Sequence, residues 1–300
     1  MNSVRIQRGN GSFTFHLSIV VNLVLHTYNL YDLLGEHGKT YPLRTDRDAL
    51  QFVDKEIHRK VSGQDCYFGS GSLDLFRSTM IRLMEDESRM ETPEGQLDEL
   101  SPDPMNRALN LMWEGFYRSY WQNREPQLSD DFATMCAGTH WSDLMDQMEQ
   151  LTGETWSKDM LILPVEATAE SALTWDRVCI GTLDPAGDAG FVHEGLHLLL
   201  GGSWRQSPKI RALWQGRSFE DAYWLSWESM YEQAIVTAFS SILRGESDDR
   251  ARLAFQGCRV EVLFDVAWPL SQAHAREGSH SLEDLMLELI VSGEQRRRSK

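Results

Sequence analysis

Asp188-Ala-Gly-Phe-Val-His193-Glu194-Gly-Leu-His197-Leu-Leu-Leu200-Gly-Gly202 is the stretch on which the reading of this chain turns. Its centre is H-E-x-x-H, with His193 and His197 four residues apart. On an α-helix that spacing puts both imidazoles on one face, one turn apart, where together they can grip a single metal ion. Glu194 follows the first histidine and stands where it can take a proton from a water beside that metal. The flanks predict a helix. Phe191, Val192, Leu196, Leu198, Leu199 and Leu200 give it a buried character, Asp188 and Gly190 precede it, and Gly201-Gly202 stop it.

Working outward, Met160–Val165 and Arg177–Leu183 read as two short strands, and Asp184-Pro185-Ala186-Gly187 turns the second into the helix. A sheet edge beside a metal helix can hold an extended peptide by main-chain hydrogen bonds. The fold class expected is therefore α+β, predominantly helical, with a small sheet next to the H-E-x-x-H helix.

A catalytic zinc takes three protein ligands and leaves one position open. The extended pattern H-E-x-x-H-x-x-G-x-x-H fails here, because Leu200 and Ser203 stand at its glycine and third-histidine positions. The other solution is a carboxylate from a later helix. Residues 218–243 read as one long helix with Ser218 as N-cap and Asp221 three residues on. Glu228 and Glu232 lie one turn apart within it, among Trp224, Trp227, Tyr231 and Ile235. Acids in such company are costly to bury unless a cation or hydrogen-bond donors meet them.

With these two helices the chain resembles the gluzincin group of zinc metallopeptidases, over about a sixth of its length. The matching motifs are His193-Glu194-Gly195-Leu196-His197 and Glu228-Ser229-Met230-Tyr231-Glu232. The resemblance implies a zincin-like core, Zn2+ as cofactor, and His193, His197 and Glu228 as metal ligands. It implies Glu194 as general base and a peptide or protein as substrate. Glu232 would support a ligand histidine through its other ring nitrogen, or would itself be the third ligand. An oxyanion formed in such a reaction needs a further donor, for which Tyr223, Tyr231, His274 and His280 are candidates. For each, the plainer reading is a packing tyrosine or a surface histidine.

Bulk properties fit this reading. The chain has 300 residues, 41% of them hydrophobic, and 29 basic against 45 acidic residues give a formal net charge of −16. That balance argues against nucleic acid and anionic membrane surfaces as partners. The 4 cysteines, at 66, 136, 179 and 258, form no C-x-x-C, so neither a disulfide framework nor a cysteine metal site is expected. Phe13–Leu25 is apolar but interrupted by His16 and Asn22, and it is too short to span a bilayer. It reads as a strand followed by a helix from Val20 or Val21, and the protein as cytoplasmic.

Further helices are expected over 46–61, 73–86, 104–122, 129–137, 139–152, 248–275 with a break at Pro269, and 281–291. Residues 87–104 read as a loop rich in Glu, Asp, Ser and Pro. This gives a mainly helical region over 1–154, a metal-binding core with C-terminal helices over 155–293, and a disordered tail over 294–300. The segment Gly201–Arg217 concentrates Arg205, Lys209, Arg211 and Arg217 and reads as a surface loop balancing Glu220 and Asp221, or else as a basic patch that attracts a substrate carboxylate. Two other classes fit the same residues: a zinc-binding regulatory or toxin-like protein with little general proteolysis, and a helical scaffold in which the motif is accidental.

Overall fold

The computed structural model describes residues 3–8, 11–34, 109–138, 141–157, 159–166, 172–175, 177–183, 189–200, 204–214, 227–278 and 281–298. The helices expected over 46–61 and 73–86, the loop over 87–104 and the turn over 184–187 lie outside these residues. The architecture is α+β and mostly helical. Five strands, β1 (Ser3–Arg8), β2 (Gly11–His16), β3 (Asp159–Val165), β4 (Ala172–Trp175) and β5 (Val178–Thr182), form one sheet in the order β1-β2-β3-β5-β4. β3 and β5 run parallel, from Leu161 opposite Val178 to Val165 opposite Thr182. β4 lies antiparallel to β5 on its far side, with Trp175 opposite Val178 across a two-residue connection. The expected strand pair is present as β3 and β5. The two strands that sequence did not reveal, β1 and β4, are the edges.

The chain divides into two compact units. The first comprises residues 1–5, 14–139 and 161–187. Its helix α1 (Ile19–Leu34) begins at Ser18, whose Oγ accepts the Val21 amide at 3.2 Å, satisfying one of the free amides of the first turn. Val20, Val21, Leu23, Val24 and Leu25 are buried. The polar residues among them are employed. Asn22 donates to the Ser18 carbonyl at 2.8 Å and accepts the Glu166 amide at 2.8 Å, tying the helix to the end of β3. Among the described residues no helix is long and apolar enough to cross a membrane.

Residues 109–138 of this unit are continuously helical, through a single π-helical turn (Trp113–Tyr117) into α2 (Arg118–Gly138). Sequence placed a gap between two helices over 123–128, and Pro126 lies within it. The helix runs through because Trp121, Leu128, Phe132 and Met135 continue one buried stripe past the proline. Pro126 itself is on the exposed side, where the backbone can bend to relieve the ring's clash with the preceding turn.

The second unit comprises residues 6–13, 140–160 and 188–300. It contains α3 (Trp141–Thr152), α4 (Ala189–Leu200), a 3-10 turn (Trp204–Gln206), α5 (Pro208–Trp214) and α6 (Trp227–Leu243). It continues with α7 (Asp248–Gly257), a 3-10 turn (Glu261–Leu263), α8 (Phe264–Glu277) and α9 (Leu282–Arg298). α6 is its centre, packing against α3, α4, α7, α8 and α9. The sequence explains this, since every side chain from Met230 to Ser241 except Gln233 is buried, as expected of a helix that is apolar nearly all round.

Two expectations for this unit are corrected. Pro269 lies inside α8, on its exposed side, and does not interrupt it. The break falls earlier, at Arg259, whose φ of 58° is left-handed; the Val260 amide closes back on the Phe255 carbonyl at 2.9 Å. No glycine occupies that left-handed position, so sequence gave no stop signal there. α9 runs on to Arg298 rather than ending at Val291, and Glu294, expected in a solvated tail, is buried.

Candidate metal centre

α4 is packed on most of its surface. Phe191, Val192, Gly195, Leu196, Leu199 and Leu200 are buried, and the partly open positions are Gly190, His193, Glu194, His197 and Leu198. These five form a single stripe at helical spacing, so the residues of the motif that carry chemistry occupy the one face left unpacked. The glycine inside the motif has a packing reason. A Cβ on Gly195 would come within 2.8 Å of Met148 Cε, on α3, and 3.8 Å of Trp156. The His193 and His197 rings stand with centroids 5.1 Å apart, as expected one turn apart on a helix.

α6 crosses this stripe and supplies two side chains to it. The carboxamide of Gln233 lies between the histidines: its nitrogen is 2.7 Å from His193 Nε2, and its oxygen is 3.0 Å from His197 Nε2. Both Nε2 atoms therefore converge on one small group. On its other side, His197 donates from Nδ1 to Glu232 Oε1 at 2.9 Å. The second oxygen of Glu232 accepts from Trp204 Nε1 at 3.3 Å. Glu232 is thus met by donors on both oxygens, which is what a buried carboxylate on an apolar helix requires.

The electrostatics of the pair favour a lone pair on His193. Burial pushes its imidazole down to about 3, and His197 and the Arg244 guanidinium push in the same direction. At neutral pH the ring is uncharged and its Nε2 can accept, from the Gln233 amide or from a metal ion.

Glu194 sits half-buried beside His193 on the open stripe. Glu228 falls in the first turn of α6, one turn before Glu232; its side chain lies outside the described residues. Among the described residues no three His, Cys, Asp or Glu side chains gather into a metal cluster. The side chains that are described fit a metal ion in two respects. Two Nε2 atoms face a common point, and a carboxylate holds the remote nitrogen of one ring, as ligand histidines ordinarily require.

Two of the four candidate oxyanion donors are described, Tyr231 and His274. Tyr231 is fully buried, with its ring against Gly293 of α9. His274 is buried, bonds the Leu151 carbonyl at 2.8 Å through Nε2 and stacks on Phe239. Both are packing residues. Tyr223 and His280 lie outside the described residues. In the basic segment 201–217, Lys209 pairs with Glu283 at 3.6 Å, and Ser207 bonds the same carboxylate.

Two residues of the site escaped sequence reasoning. Gln233 is a lone polar residue in an apolar run, which on its own signals only a helix position. Trp204 looked like part of a surface loop; it is buried, and its indole bonds Glu232. Cys136, Cys179 and Cys258 form no disulfide among the described residues. No protein-family model, curated protein or solved structure matches the chain.

Proposed function

We propose that this chain is a zinc-dependent hydrolase, specifically a metallopeptidase acting on a peptide or protein. The observation that carries the reading is the convergence of His193 Nε2 and His197 Nε2 on one group, with Glu232 bonded to the opposite nitrogen of His197. In this reading His193 and His197 hold Zn2+, and Glu228 completes the set from the first turn of α6. With both oxygens of Glu232 met by His197 and Trp204, that acid orients a ligand histidine. Bound zinc supplies a Lewis acid for a carbonyl oxygen and acidifies water.

The chain's own residues do the rest. Glu194, beside His193 on the open stripe, takes the proton of the attacking water and returns it to the leaving amine. His193 stays neutral, so it remains a ligand at neutral pH. Glu232 keeps the His197 ring in one orientation throughout.

The test is metal content and peptide hydrolysis of wild type beside His193→Ala, Glu228→Ala and Glu194→Gln. The reading expects one zinc per chain in wild type, lost in His193→Ala and reduced in Glu228→Ala. Glu194→Gln should retain the zinc and lose hydrolysis by roughly 10²-fold or more. Zinc retained with hydrolysis absent from wild type would point to the regulatory class, and no zinc at all would end the metal reading.

A further inference from the structure

We infer that Gln233 regulates metal loading of the His193–His197 pair by competing with the ion for both Nε2 atoms, a step that rests on the metal reading above. The carboxamide lies 2.7 Å from one Nε2 and 3.0 Å from the other. A zinc–imidazole bond is about 2.0–2.1 Å, shorter than either contact. An ion held by both nitrogens must therefore enter the space that the carboxamide spans, and each nitrogen can serve only one of the two partners. The amide and the ion exclude one another.

The surroundings let the amide move while everything else stays. Gln233 is the only side chain from Met230 to Ser241 that is not buried, and its long side chain has rotamers to move through. Its backbone is fixed in the helix, where Thr237 Oγ1 donates to its carbonyl at 2.6 Å. His197 is held independently by Glu232 through Nδ1, so the ring keeps its orientation when the amide turns away. The competing element is a single side chain, and its effect is to weaken zinc binding and make occupancy follow metal supply.

The experiment is a zinc titration of the full chain against a chromophoric chelator. Wild type is compared with Gln233→Ala, Gln233→Leu and, as a binding-deficient control, His193→Ala. Removing two competing hydrogen bonds should tighten zinc binding on the order of tenfold in both Gln233 variants. Gln233→Leu, close to glutamine in volume and a good helix former, decides the matter should the alanine variant misfold. Binding unchanged in the variants overturns the inference, and weaker binding does so by making Gln233 a ligand. If wild type and the Gln233 variants bind no more zinc than His193→Ala, the metal reading itself fails and the inference falls with it.

Discussion

Glu232→Gln isolates the contact on which the geometry of the histidine pair depends. The carboxylate accepts from His197 Nδ1 at 2.9 Å and from Trp204 Nε1 at 3.3 Å. The Glu232 and His197 side chains are only 12% and 21% exposed, so solvent screens the pair little. Glutamine keeps the shape but has a single acceptor oxygen, so one of the two donors must face an NH2 group. A charge-assisted bond worth about 1.5–3 kcal/mol becomes a neutral one of about 1, and an orphaned donor adds about 1 more. The loss comes to about 2 kcal/mol. Urea unfolding followed by far-UV circular dichroism, on wild type, Glu232→Gln, Trp204→Phe and the double variant, reads it directly. The double variant should fall short of the summed single losses by about 1 kcal/mol, because Glu232→Gln already weakens or removes the bond that the indole makes to the carboxylate. A loss below about 0.5 kcal/mol in Glu232→Gln, or strict additivity with Trp204→Phe, refutes the reasoning.

A Cβ on Gly293 would lie 2.9 Å from the Tyr231 hydroxyl and 3.0 Å from its ring. Tyr231 is fully buried and cannot yield, so Gly293→Ala should destabilise by about 1–3 kcal/mol despite the better helix former. Gly195→Ala is crowded only by the flexible terminal methyl of Met148, Trp156 being at ordinary contact distance, and should cost less than about 1 kcal/mol; thermal melts showing the reverse order would be decisive against this account. His26 is buried against Phe116, Tyr117 and Tyr120, and desolvation pushes its imidazole down to about 3. Between pH 6.5 and that value the unfolded chain binds the extra proton. Stability is therefore full above the unfolded pKa and falls on acidification by up to about 1.4 kcal/mol per pH unit. His26→Phe should make the acid limb of a stability–pH profile shallower by that slope, and parallel limbs for the two proteins would rule the mechanism out.

The parts of the fold that sequence revealed are those encoded by strong local periodicity. α4 was legible because its apolar residues, its paired histidines and its terminal glycines agree on one helix. The centre of α6 was legible from its unbroken apolar run. Edge strands were not: β4 has four residues, and β1 alternates but offers only two apolar residues, Val4 and Ile6, too few to stand out. Pro269 misled, since a proline on the outward face of a helix with a continuous buried stripe bends it without ending it. The position of Gln233 between the imidazoles depends on how α6 is rotated against α4. Nothing local encodes that rotation; it follows from the packing of every neighbour of α6.

The helix that brings the acid to the histidines is also the one that the second unit is packed around. Most substitutions between Met230 and Ser241 would have to be absorbed by contacts with five other helices. Gln233 is the exception in that run, and it touches both imidazoles. Among the described residues of α6, this is the position from which a side chain reaches both imidazoles without itself being buried. A substitution there displaces no buried side chain, whereas relocating the acid would mean rebuilding the centre of the unit.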